Sequence, residues 1–412
     1  MEIQDGNLDA ARELYESILE NYPDEVAPIL YLNALDQQEG KQDKAQERLE
    51  QAIEQHPREN ALKVALARLY LAQGSPSRVL AMLQELDGAD ANTPALLQLA
   101  GDARFAMGEY GAAAEDYEKL VRAQPGVATQ HFLLGRAYAS MGRMDDAQSQ
   151  LKEALAIDAD HYASQILRVH LLRLQGKLPE AQQLLDAMPE DDAGRSEALV
   201  EKGWLAMYQA NFDEGEKNFA AAFEQTATSD TLVQLGVARW NAGRPESALN
   251  GYKAWLRDNP DDPKILVHLG NTYLQLGRDA EALAVFEKLE GMNSGNILVL
   301  NNLAWLLRKE DPDRALAYAG KVLRISPEWG PALDTLGSIQ LQQGEVELAV
   351  RSFQQALKRS PGNPDIRYHL ATAYARQGDK TAAVGVLNEL LAQEIPGFAS
   401  RADAEKLLAS LK

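Results

Sequence analysis

Cysteine is absent from this chain of 412 residues. Disulfide bonds, thiolate metal sites and cysteine nucleophiles are therefore excluded. Long hydrophobic runs are absent as well, since no apolar stretch approaches the roughly 18 residues that cross a membrane. The N-terminal sequence MEIQDGNLDAARELYES has no basic region followed by an apolar segment, so it does not have the pattern of a signal peptide. These absences leave cytosolic and periplasmic locations both open.

Basic residues are few compared with acidic ones. Lysine and arginine number 41, aspartate and glutamate number 61, and the formal net charge is −20. Because binding to a phosphate backbone depends on clustered cations, we do not expect nucleic acid as a partner. The negative charge favours the solubility of an extended surface.

Sequence motifs for catalysis and metal binding are also lacking. None of the six histidines belongs to an HExxH motif or another close metal-ligand pair, and no GxSxG, P-loop or GxGxxG sequence occurs. The acidic cluster DNPDDP at 258–263 lacks the glycine and the terminal glutamate of a calcium loop, so we interpret it as a solvated turn. The sequence therefore predicts a non-enzymatic protein with no catalytic residue, no metal site and no cofactor.

A pattern with a period of about 34 residues runs through the chain. In the segment 265–294, apolar residues at spacings of three and four form one helix face before Gly277 and a second face after it. Gly277 separates the two helices because glycine adopts a positive φ without steric cost. Equivalent glycines are Gly6, Gly40, Gly74, Gly108, Gly142, Gly176, Gly243, Gly344 and Gly378.

This spacing predicts eleven helix pairs that begin near residues 26, 60, 94, 128, 162, 196, 229, 263, 297, 330 and 364. In the pair that begins at Ser196, Ala210 replaces the breaker glycine and Gly215 replaces the small residue of the second helix. The polar joints 86–94 and 189–195 are candidate bends within a retained fold.

The repeats resemble the tetratricopeptide (TPR) family over nearly the whole chain, and Gly270, Tyr273, Ala282 and Phe286 show the family pattern best. The resemblance implies an all-α, right-handed superhelix, and we expect one solenoid over residues 1–412. Residues 26–395 would form the eleven repeats, and 396–412 a C-terminal capping helix. Residues 1–25 would be either a second helix whose first helix preceded Met1, or a short N-terminal cap.

In this family, an inner wall is drawn mainly from positions 2, 5, 9, 12 and 13 of each first helix. Aromatic rings and amides there suit peptide recognition, because rings supply rigid contact area and amides both donate and accept hydrogen bonds. The alternative is that the rings only pack between neighbouring first helices. The candidate groove residues are His170, Arg173, Trp204, Met207, Tyr208, Trp240, Asn241, Asn271, Gln275, Asn301, Trp305 and Arg308.

A known peptide mode of the family is a clamp for a C-terminal carboxylate. Asn271 and Asn302 match the two asparagines of that clamp. The cations of the clamp would fall at Val267, Pro331 and Thr335, which carry no charge. We therefore do not predict a carboxylate clamp of this kind.

Residues 297–412, which include NNLAWLLRKEDPDRALAYAGKVLRISP, resemble exosortase-associated (PEP-CTERM system) TPR lipoproteins of Gram-negative envelopes, which are linked to exopolysaccharide production. The resemblance implies a protein-binding scaffold in the periplasm or at the inner face of the outer membrane. Membrane attachment would require a lipid anchor, which this chain lacks. The alternatives are a cytoplasmic location, an accessory of glycan export that contacts polysaccharide, or the TPR region of a larger enzyme with an upstream catalytic domain.

Overall fold

A computed structural model describes residues 8–84, 86, 93–292, 295–392 and 394–412. These residues form 25 helices and contain no strand. The helices are α1 (Leu8–Asn21), α2 (Val26–Gln38), α3 (Gln42–Gln55), α4 (Asn60–Ala72), α5 (Pro76–Gln84), α6 (Pro94–Ala106), α7 (Tyr110–Ala123), α8 (Ala128–Ser140), α9 (Met144–Ile157), α10 (Tyr162–Leu174), α11 (Leu178–Asp186), α12 (Glu190–Ala193), α13 (Ser196–Tyr208), α14 (Phe212–Gln225), α15 (Ser229–Asn241), α16 (Pro245–Asp258), α17 (Pro263–Gln275), α18 (Asp279–Gly291), α19 (Ile297–Leu307), α20 (Pro312–Ile325), α21 (Gly330–Gln342), α22 (Val346–Arg359), α23 (Pro364–Gln377), α24 (Lys380–Leu391) and α25 (Arg401–Leu411). The predicted all-α class is confirmed.

The first helix of each of the eleven pairs begins at the residue that the repeat spacing predicts, from Val26 in α2 to Pro364 in α23. Helix α1 precedes the pairs and α25 follows them, as predicted. The joint 189–195 contains the one-turn helix α12, whereas residues 87–92 of the other predicted joint lie outside the described residues.

The turn between the two helices of a pair needs a left-handed residue. Gly277 has φ 69°, and the other predicted breaker glycines within the described residues also have positive φ; Gly6 lies outside those residues. Ala210, which replaces the glycine in its pair, keeps the same turn with φ 57°. The turn is therefore imposed by the packing of the two helices, because a β-carbon disfavours this conformation.

The core of a pair is built from a ring on the second helix that packs on a glycine of the first. The Phe286 ring is fully buried, and a β-carbon on Gly270 would lie 2.5 Å from its Cε1 atom. Three further pairs use the same arrangement, with Tyr117 on Gly101, Tyr252 on Gly236 and Phe353 on Gly337. Close approach of the helix backbones explains the small-beside-large spacing in the sequence.

The chain divides into two compact units, Met1–Leu205 and Ala206–Lys412, here called the first and second unit. In the first unit, the rings of Tyr15 and Tyr31 stack at 4.8 Å and line a cavity of about 330 Å³. In the second unit, Phe398 is 7% exposed and packs with Ala404 of α25 against the last pair. That residues 1–412 form one continuous solenoid stays a prediction.

Candidate partner-binding surface

The predicted groove residues lie on or next to five first helices, α10, α13, α15, α17 and α19. The division between the two units falls within α13. His170, Arg173 and Trp204 therefore belong to the first unit, and the other nine residues belong to the second. Each set is described within its own unit.

In the first unit, a glutamate on α13 brings the predicted residues together. The Nε atom of Arg173 donates to Oε2 of Glu201 at 2.7 Å, and Nδ1 of His170 lies 2.9 Å from Oε1 of Glu201. The Arg173 guanidinium also lies 5.6 Å from the centre of the Trp204 ring. The side chains of Arg173 and Glu201 are only 7% and 6% exposed, so this ion pair is part of the interior.

The ionisation of Glu201 reflects this environment. Burial alone would raise the pKa of the carboxyl group. Hydrogen bonds from His170 and Arg173, together with their charges, outweigh burial and hold the pKa of Glu201 below its ordinary value. The carboxylate is therefore charged at neutral pH and neutralises Arg173 from inside the unit.

In the second unit, side chains connect successive first helices. Lys264 of α17 forms an ion pair with Asp230 of α15. The Nδ2 atom of Asn302 on α19 donates to Oδ1 of Asn271 on α17 at 3.2 Å. We call the solvent-facing side chains of α15, α17, α19, α21 and α23 the first-helix wall. Asn271, one of the predicted groove residues, is thus partly engaged within this wall.

Trp305 and Arg308 form one cluster on the first-helix wall. The Arg308 guanidinium lies 3.7 Å from the centre of the Trp305 ring, and its Nη1 atom donates to the Trp305 carbonyl oxygen. The Trp305 ring also lies 5.9 Å from the ring of His369 on α23. Burial of the half-buried guanidinium lowers the pKa of Arg308, and the charge of Asp279 opposes this shift without cancelling it.

His369 extends this cluster to α21. Its Nδ1 atom lies 2.9 Å from Oδ1 of Asp334, and its ring also contacts the rings of Phe353 and Tyr368. The Trp305 indole therefore contacts Arg308, the residue that follows α19, and His369 of α23.

Trp240 has different surroundings. Its indole is half-buried, and among the described residues it makes no hydrogen bond and no contact with another aromatic ring. Tyr208 is 57% exposed. A half-exposed indole with a free N–H can contact a ligand without first losing an internal hydrogen bond or ring contact.

The remaining predicted residues of the second unit differ in solvent exposure and in hydrogen bonding. Asn241 is exposed and its Nδ2 atom donates to the Val237 carbonyl oxygen at 2.8 Å, on its own helix. Gln275 is exposed and Met207 is half-buried. The Oδ1 atom of Asn301 is buried and accepts no hydrogen bond from any described residue.

Sequence reasoning missed the acidic partners of these clusters, Glu201 and Asp334. The signal was present in the repeat spacing, since both residues lie on a first helix and face a basic or histidine side chain of a neighbouring first helix. Glu201 is 28 residues from Arg173 in sequence, a separation that no local motif covers. Asp262, assigned to a solvated turn, instead caps α17 by accepting from the backbone nitrogens of Lys264 and Ile265.

Comparison with protein families decides the class of the chain. Family models described as tetratricopeptide repeat match residues 99–161, 233–297 and 335–397, residues 36–102 and 141–202, and residues 2–25. Together these matches cover most of the chain. The chain belongs to the tetratricopeptide repeat family. The predicted helix pairs are thus TPR units, and TPR proteins are typically non-catalytic scaffolds that bind protein partners.

Similar proteins include two bacterial relatives with the same description. The chain is 24% identical over 404 residues to cellulose synthase operon protein C of Xanthomonas axonopodis pv. citri (strain 306), covering 93% of this chain and 25% of that protein. It is 25% identical over 236 residues to cellulose synthase operon protein C of Pseudomonas fluorescens (strain SBW25), covering 52% of this chain and 18% of that protein. The chain thus spans a quarter or less of the length of these relatives.

Among solved structures, the crystal structure of the APC/C hetero-tetramer Cut9-Hcn1 aligns with all of this chain and 94% of that chain, at 14% identity and a TM-score of 0.49.

Within the described part of the TPR chain, no group of three or more histidine, aspartate or glutamate residues is arranged to hold a metal ion. No described helix is both long enough and apolar enough to span a membrane.

Proposed function

We propose that this TPR protein is a non-enzymatic scaffold whose first-helix wall in the second unit binds an extended peptide or a helix of a protein partner. The observation that carries the proposal is the half-buried indole of Trp240, which has no hydrogen bond and no ring contact among the described residues. Large aromatic side chains of this kind are the usual anchors of protein interfaces.

The neighbouring side chains support a peptide ligand. Asn241, Asn271 and Gln275 place amide groups on α15 and α17, and amides can pair with both the N–H and the C=O groups of a peptide backbone. Trp305 would contribute the part of its half-buried ring that remains exposed. The family supports the same conclusion, since TPR proteins generally bind proteins.

Substitution of the two tryptophans tests the proposal. Peptides selected by the full chain from a random-peptide library should bind Trp240→Ala and Trp305→Ala more weakly, by about 2 kcal/mol for a true anchor. We expect the larger loss at Trp240, because the Trp305 ring already contacts Arg308 and His369 within the protein and has less surface left for a ligand. Isothermal titration gives the affinities, and circular dichroism checks that the helices are retained.

Trp255 provides the matched control. It lies on the second helix α16, so it is not one of the first-helix wall side chains, and its Nε1 atom donates to Asp262, the N-cap of α17, at 2.8 Å. Trp255→Phe should leave peptide affinity unchanged. If peptides bind both alanine variants as tightly as the parent chain, the wall is not the binding surface.

We further propose that the scaffold acts in a bacterial envelope system linked to exopolysaccharide production, in the periplasm or at the inner face of the outer membrane. The similarity to two cellulose synthase operon proteins supports this link. The resemblance of residues 297–412 to exosortase-associated TPR lipoproteins would place it in such a system, and a cytoplasmic TPR protein is the alternative. Fractionation of cells that express the full reading frame separates these locations.

The same two relatives favour a second candidate, in which the wall contacts polysaccharide through its aromatic side chains. Quenching of tryptophan fluorescence by soluble β-glucan oligosaccharides, compared with quenching by selected peptides, distinguishes the two candidates. Saturable quenching by the oligosaccharide that Trp240→Ala abolishes would favour the glycan. The third possibility, the TPR region of a longer enzyme, is decided by the full reading frame.

A further inference from the structure

The partly buried guanidinium of Arg308 forms no ion pair among the described residues; the charge of Asp279 acts on it from beyond ion-pair distance. Among the described residues, no carboxylate oxygen lies within ion-pair distance of its guanidinium, although the chain carries an excess of 20 negative charges. Its contacts are the Trp305 ring at 3.7 Å and the Trp305 carbonyl oxygen. One carbonyl leaves most of the five N–H donors of a guanidinium available.

Another repeat has an arginine at the same position as Arg308, and that arginine is paired with a carboxylate. Arg173 follows the start of its first helix, α10, by eleven residues, and Arg308 follows the start of α19 by the same number. Arg173 is neutralised by Glu201, which lies five residues after the start of the next first helix, α13. The residue at the corresponding place in α21 is Thr335, which is uncharged and 3% exposed.

The second unit therefore repeats the arginine but lacks the internal carboxylate that completes the first. A guanidinium partly removed from water gains more from a carboxylate than an exposed one does, because the pair is less screened. A strongly acidic segment would be repelled by the net charge of the chain. The complementary ligand is a segment with one acidic residue in a neutral or basic context.

We propose that Arg308, held against Trp305, is the subsite that binds the side-chain carboxylate of an aspartate or glutamate in the partner peptide. The inference rests on the proposed function, since it assigns one residue of the partner to one residue of the first-helix wall. Bidentate pairing with the planar guanidinium would supply both affinity and register along the wall.

A double-mutant cycle on selected peptides tests the subsite. Peptides are selected from a random library on the full chain, and each acidic residue of a bound peptide is changed to its amide. We expect one such change to weaken binding to the parent chain about tenfold, as for a partly buried charge pair. The same change should have no effect on binding to Arg308→Gln, because the interaction is already absent.

Thr335 offers a second, independent variant. Thr335→Glu places a carboxylate where the first unit has Glu201, so it should compete for Arg308 and weaken binding as much as Arg308→Gln does. Thr335→Gln introduces a side chain of nearly the same volume as glutamate but without its charge. This variant should bind the selected peptides as tightly as the parent chain does. Circular dichroism confirms that each variant is folded, and the Arg308→Gln cycle stands even where a Thr335 variant fails to fold.

The outcomes separate the two proposals. Peptides that bind through Trp240 but show no acidic residue coupled to Arg308 would overturn the subsite and keep the scaffold function. An acid-to-amide effect of the same size on the parent chain and on Arg308→Gln would also overturn it. If no peptide is selected, both the peptide-binding function and the subsite fail.

Discussion

Arg173 and Arg308 occupy the same place in their repeats, yet their surroundings differ. Arg173 is 7% exposed and contacts Glu201 and Trp204; Arg308 is half-buried, stacks on Trp305 and forms no ion pair with a carboxylate among the described residues. At the corresponding place on the following first helix, one unit has a glutamate and the other has a threonine. A repeat can thus use the same arginine for stability or leave it available for recognition.

The largest effect is expected from removal of the internal carboxylate in the first unit. Glu201→Gln leaves the Arg173 guanidinium buried without a counter-charge, and breaking a buried ion pair at one partner costs about 3 kcal/mol. We expect urea unfolding of this variant, followed by circular dichroism, to show that loss. A cost below about 1 kcal/mol, the usual value for surface pairs, would mean that the pair is effectively solvated.

The comparison predicts a second result for the same pair. Replacing Arg173 and Glu201 together by Met and Leu should restore most of the lost stability, since buried ion pairs are often no better than apolar side chains of similar volume. The double variant also distinguishes the cost of an uncompensated buried charge from the cost of lost packing contacts. Equal destabilisation of the single and double variants would point to packing alone.

The pKa of Glu201 predicts how this contribution varies with pH. The pKa is lower in the folded chain than the ordinary value of 4.5, so the unfolded state binds the proton more tightly. The stabilisation is therefore complete above the ordinary value and is lost as pH falls through the folded pKa. The difference in unfolding free energy between the parent chain and Glu201→Gln should therefore shrink as pH falls below the ordinary value of 4.5. A difference that grows on acidification would contradict this assignment.

A smaller effect is expected at the turns, where equivalent places again hold different residues. Gly277→Ala should cost about 1 kcal/mol, because φ 69° is unfavourable for a residue with a β-carbon. Ala210→Gly should instead stabilise the chain, because it removes the strain of a β-carbon at positive φ. The gain should be only about 0.5 kcal/mol, because glycine also increases the conformational entropy of the unfolded state. Thermal unfolding of the two variants should therefore shift in opposite directions.

The smallest effect on stability is expected at Arg308. Arg308→Gln removes a ring contact and one hydrogen bond on a half-buried side chain, and the free energy of unfolding should change by only about 0.5 kcal/mol. Arg173→Gln, measured in parallel by the same urea titration, should be several-fold more costly. Similar costs for both variants would contradict the distinction between Arg173, which is neutralised by an internal carboxylate, and Arg308, which is not.

The periodic pattern was sufficient to predict the helices and their order. Spacing alone located the start of α17 at Pro263 and the left-handed turn at Gly277, because both depend on residues close together in sequence. The same spacing placed Trp240, Trp305 and Arg308 on first helices, although their role in binding stays a prediction. The partners Glu201, Asp334 and His369 were not predicted, since each contact joins residues 28 to 64 positions apart.

Local spacing therefore established the helix pairs, the turns and the choice of side chains on each helix, because helix periodicity and glycine conformation act over a few residues. Tertiary packing decided which charges are neutralised. Whether an arginine is buried against a glutamate or left beside a tryptophan depends on the residue that the next helix brings opposite it, and on how much water that contact excludes.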